Sequence, residues 1–112
     1  MARLNLVAIA EDSIASPGNA LELYIMMSVT NNAGVAVSGL GMSNFNLGTE
    51  IVGPMGSISH ISSVTNGSVA GIYSMQVLPL AGQTWKAGVY IFSITVTSGS
   101  NTGQTLCSVL MD

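Results

Sequence analysis

Charge is what this chain has least of: five acidic and two basic side chains among 112 residues, or 6%, where an ordinary soluble domain carries about a quarter. The two bases, Arg3 and Lys86, cannot neutralise a run of phosphates. Nucleic acid is therefore excluded as a partner, and anionic membrane surfaces are disfavoured. Cysteine occurs once, as Cys107, so no internal disulfide staples the fold. Histidine also occurs once, as His60. No apolar run approaches the roughly 20 residues of a membrane-spanning helix. The apolar stretch that opens the chain is closed by Glu11-Asp12, too early for a secretory signal. These absences favour synthesis in the cytoplasm and leave later export or assembly into a particle open.

What is present is apolar and small. Hydrophobic residues make up 48% of the chain, which excludes disorder. Ser, Thr, Asn and Gly stand where Lys and Glu usually do, giving a polar but nearly neutral surface. The length suits one domain, residues 1–112, with a single core.

Helical periodicity is missing, and the apolar residues alternate instead. Residues 3–10 read as a first strand, ended by Ser16-Pro17-Gly18-Asn19. In 21–30, Leu21, Leu23, Ile25, Met27 and Val29 share one face, and Glu22, Tyr24, Met26, Ser28 and Thr30 the other. Asn31-Asn32-Ala33-Gly34 reads as a turn, followed by a short piece at 35–37 and a strand around 44–47. Residues 50–56 are broken by Gly53-Pro54, and 57–65 read as a polar edge strand with a tight turn at Asn66-Gly67. Further strands are expected at 71–79, 88–97 and 104–111, the last two joined by a loop over 98–103. About seven short strands in this length predict an immunoglobulin-like antiparallel β-sandwich, with a small barrel as the competing architecture. Its core should hold Ile25, Met27, Tyr73, Val77, Tyr90, Phe92 and Ile94.

Two segments carry a resemblance. Val29-Thr30-Asn31-Asn32-Ala33-Gly34-Val35-Ala36-Val37-Ser38-Gly39-Leu40 resembles the V-T-D-x-x-G-x-P-V-x-G signature of invasin-type bacterial Ig-like modules, with Asn31 for the usual Asp and Ala36 for the usual Pro. Gly71-Ile72-Tyr73, Pro79 and Gly88-Val89-Tyr90 resemble the G-x-Y, P, G-x-Y rhythm of filamin-like repeats. The resemblance implies an Ig-like fold with Tyr90 at the tyrosine corner. It also implies an adhesive, spacer or protein-binding role, usually in tandem arrays.

Catalytic chemistry finds little to use. His60 is the only base for a Ser/His/Asp triad, and no Gly-x-Ser-x-Gly elbow surrounds any serine. Glu11, Asp12, Glu22 and Glu50 form no pair singled out by spacing. Copper would draw on seven methionines, His60 and Cys107, but a blue-copper site needs two histidines. Met27 and Met75 fall on inward positions, and Met26, Met42 and Met55 do not cluster. Asn66-Gly67-Ser68 matches a glycosylation sequon and reads better as a turn. No catalytic, cofactor or metal site is expected.

The expectation is a non-catalytic, stand-alone interaction or structural subunit of a larger assembly, of the kind found in a phage particle or a secretion apparatus. The partner would be another protein or a second copy. Its contact surface should lie where Val89, Ile91, Leu106 and Leu110 face outward from the last two strands. The alternative is a carbohydrate-binding module that stacks sugars on Trp85 and Tyr24, although a Trp85 tucked over the end of the sandwich core is the favoured reading of that residue. A small hydrolase using His60 is a third possibility.

Overall fold

Alternation decides where the strands form. The computed structural model describes residues 3–11, 13–51 and 59–112. The strands are β1 (Asn5–Ala10), β2 (Leu23–Thr30), β3 (Phe45–Ile51), β4 (Ser59–Asn66), β5 (Ile72–Pro79), β6 (Gly88–Ser98) and β7 (Asn101–Met111), with one 3-10 turn at Met42–Asn44. Burial along β2 and β5 switches at every residue, as one face of each packs inward.

The strands make two antiparallel sheets, ordered β1-β2-β5-β4 and β3-β6-β7. The fold is an antiparallel β-sandwich whose strand order is the one found in constant-type immunoglobulin sandwiches. Ile25, Met27, Val29, Tyr73, Met75, Val77, Tyr90, Phe92, Ile94 and Val96 lie between the sheets and are at most 1% exposed. Every residue expected in the core is there. Aromatic contacts run along it, with Tyr90 stacked on Phe92 at 6.0 Å and Phe45 tilted against Tyr73 at 5.7 Å.

Both segments that carried the family resemblance have a structural role. Asn31 Oδ1 accepts from the Ala33 and Val35 amides at 2.9 and 3.0 Å, which is what an Asp would do at this point of the turn. Gly34 follows with φ of 77°, in the left-handed region. The Tyr73 hydroxyl donates to the Val37 carbonyl at 2.7 Å and accepts from the Leu40 amide at 3.3 Å, pinning the loop to the core. Tyr90 forms the tyrosine corner: its hydroxyl accepts from the Lys86 amide at 3.1 Å and donates to the Lys86 carbonyl at 3.3 Å.

Several boundaries differ from expectation. The loop over 98–103 is a two-residue turn, because Ser98 pairs with Asn101 and the hairpin continues unbroken. Polar Asn, Thr and Gly read as loop, yet cross-strand pairing keeps them extended. Leu21 precedes β2 and is 45% exposed rather than inward. Residues 35–37 give only an isolated bridge, Thr30 to Ala36. After Asn66 the chain takes five residues, 67–71, to enter β5, not a tight turn. Gly53-Pro54, Met55 and Asp12 lie outside the described residues.

One edge of the sandwich is closed by the chain's first and last strands. The Leu4 amide donates to the Thr102 carbonyl at 2.8 Å, and Arg3 and Thr102 form a parallel bridge. Gly103 makes the approach possible, since a Cβ there would fall 2.4 Å from the Leu4 carbonyl oxygen. β1 therefore pairs with β2 along its length while its leading residues hold β7 in the other sheet.

Candidate interaction surface

On β6 and β7 the inward residues are Tyr90, Phe92, Ile94, Val96, Cys107 and Met111, all buried. The opposite parity points to the outer face of the sheet, where only Ser93 on these two strands is buried. Val89 is 45% exposed, and Leu106 and Leu110 are each 64% exposed. Ile91 is half-buried beside them. Val89 lies directly opposite Leu110, and Ile91 opposite Ser108, which stands between Leu106 and Leu110. The four residues are thus neighbours on one face, directly or diagonally. Neither β6 nor β7 contains a charged residue.

Trp85, which only the alternative reading made a sugar-stacking residue, is wholly buried over the end of the core. Its indole N–H donates to the Leu21 carbonyl at 2.7 Å, and its ring meets Tyr90 edge-on at 5.4 Å. Its backbone is tied to the loop after β1 through Asn19 and Gly18, at 2.7 and 2.9 Å. A packed indole whose one polar atom is already satisfied has no face to offer a sugar. Tyr24 is half-buried on the outer face of the other sheet, opposite Gln76. The two aromatics are not brought together. As the only tryptophan, Trp85 should give a blue-shifted emission with low acrylamide quenching in the native state; emission like that of free indole would contradict its burial.

His60 is exposed on β4, opposite Leu78. Among the described residues no group of three His, Cys, Asp or Glu side chains could hold a metal ion. Cys107 is buried and free. Burial pushes its thiol above the usual range, and a backbone hydrogen bond from Ala10 offsets this in part. The side chain of Glu50 lies outside what is described.

A second outward apolar set escaped the sequence reading. Val7 is 56% exposed, Ile9 64% and Met26 45%, with Ile9 opposite Met26. The available signal was β1 itself, apolar on both parities (Leu6, Ala8 and Ala10 against Val7 and Ile9). Two grooves flank the edge where β1 meets β7. One, of about 580 Å³, is lined by Arg3, Asn5, Val7, Thr95, Thr102 and Gln104 among others. The other, of about 360 Å³, is lined by Glu11, Ser13, Leu110 and Asp112 among others.

Comparison of the chain with protein-family models, curated proteins and solved structures gives no match.

Proposed function

We propose that this chain is a non-catalytic Ig-like interaction or structural module, a stand-alone subunit of a larger assembly, that binds protein through the outer face of the β3-β6-β7 sheet. One observation carries this: Val89, Leu106 and Leu110 stay exposed around Ile91 on two strands without a charge. A solvated sheet face normally alternates polar residues outward, so apolar residues there have a cost in solubility that contact with a partner removes. The partial invasin-like and filamin-like signatures favour the same class of role, although a fold of this kind hosts many functions.

Changing Ile91 and Leu106 together to Lys places two charges on this face without touching the core. The double variant should fold, keeping its thermal midpoint within a few degrees, and should lose association in light scattering and in capture of the native partner. A folded variant that associates like the parent chain would remove the basis for the proposal.

A further inference from the structure

Resting on that interaction-module reading, we infer that the partner is a second copy of this chain, docked about a two-fold axis across the β1–β7 edge. The sparse charges are sorted along that edge. β1 and β7 run parallel here, so their starts share one end of the molecule and their ends share the other. At the first end, Arg3 is the only charged residue: the neighbouring segments 31–44, 66–71 and 98–101 contain none. Arg3 lines the groove beside Asn5, Val7 and Gln104, and no ion pair joins it to another of the described residues. At the other end, Glu11 and Asp112 line the second groove together with Leu110. Glu22 and Lys86, which precede β2 and β6 at that same end, offset each other in sign.

Arg3 and Glu11 are eight residue steps apart, roughly 26 Å at about 3.3 Å per residue. That exceeds the Debye length of about 8–10 Å at ordinary ionic strength, so each end acts on a neighbour independently. A two-fold axis through the middle of the edge reverses its direction. Arg3 of each copy then meets Glu11 and Asp112 of the other, twice per dimer, as a self-complementary interface requires. Between the charged ends lie exposed Val7, Ile9, Leu106 and Leu110 from the two edge strands. Apolar contact would supply most of the affinity, and the charges would set register and orientation. A parallel pairing of two copies, or a rotation that broke the match, would set like charges together.

The test uses two variants of the whole chain, Arg3→Glu and the double change Glu11→Arg with Asp112→Arg. All three positions are exposed, so folding should survive, and circular dichroism checks it. Alone, each variant sets its changed residues against like charges across the two-fold axis, and its dimer, read by sedimentation, should weaken on the order of tenfold or more. Mixed in equal amounts, the two should form a heterodimer at least as tight as the parent dimer. A parent chain that stays monomeric at several hundred micromolar overturns the inference, as does a mixture no more associated than its components. Self-association that ignores Arg3→Glu but is abolished by Ile91→Lys also overturns it, while leaving the sheet-face proposal standing.

Discussion

Phe92→Ala is expected to lower the free energy of unfolding by about 3–5 kcal/mol. Phe92 is fully buried, stacked on Tyr90 and opposite Cys107 across the β6–β7 pair. Truncation removes the ring from a close-packed interior that cannot collapse around the gap. For a domain of ordinary stability, about 5–15 kcal/mol, this is a large share of the total. Leu106→Ala, one residue from Cys107 but 64% exposed, is the control and should move stability by about 0.5 kcal/mol or less. Urea unfolding of both variants gives the comparison. A loss below about 1 kcal/mol for Phe92→Ala would mean that the β6 face assignment is wrong.

The second large effect concerns Gly103. A valine there must displace the backbone of Leu4, because even a Cβ would sit 2.4 Å from its carbonyl oxygen and 2.9 Å from its carbonyl carbon. Backbone on one side and a buried strand on the other leave no flexible group to give way. Gly103→Val should therefore release Arg3-Leu4 from β7 and cost about 1–3 kcal/mol or more. The Leu4 amide reports this directly, since its bond to the Thr102 carbonyl should protect it from hydrogen exchange in the parent chain. Gly41→Ala is the matched control, as nothing lies within 4 Å of its Cβ position. A Leu4 amide as well protected in the valine variant would show that the two strands are not joined there.

Much of the sandwich was legible because its core strands are half-buried and antiparallel, so the two-residue period survives in the sequence. β2, β5 and β6 show this, with Ile25, Met75 and Phe92 each falling on the predicted side. The last strand is apolar on both parities, so its alternation alone left the outward set open, and the structure turns Leu106 and Leu110 out. Legibility failed where tertiary contacts override local preference. Asn101 and Thr102 have loop-forming composition but are held extended by pairing with Ser98 and Thr97. That Trp85 is buried agrees with the favoured reading, but its partner, the Leu21 carbonyl 64 residues away, is encoded by no local pattern. The sorting of charge along the β1–β7 edge was equally hidden. Arg3 and Glu11 are close in sequence, but Asp112 joins Glu11 only because the last strand runs parallel to the first.

The bond between Leu4 and Thr102 also decides how the domain would carry a load. Its parallel strands leave the molecule at opposite poles, so a pull applied through the two ends drags β1 and β7 past one another lengthwise. A hairpin pulled from its open end parts one hydrogen bond at a time; a pair dragged lengthwise must strain its bonds together before any yields. Gly103, by letting Leu4 sit against β7, places such a clasp where a pull applied through the two ends would enter the fold.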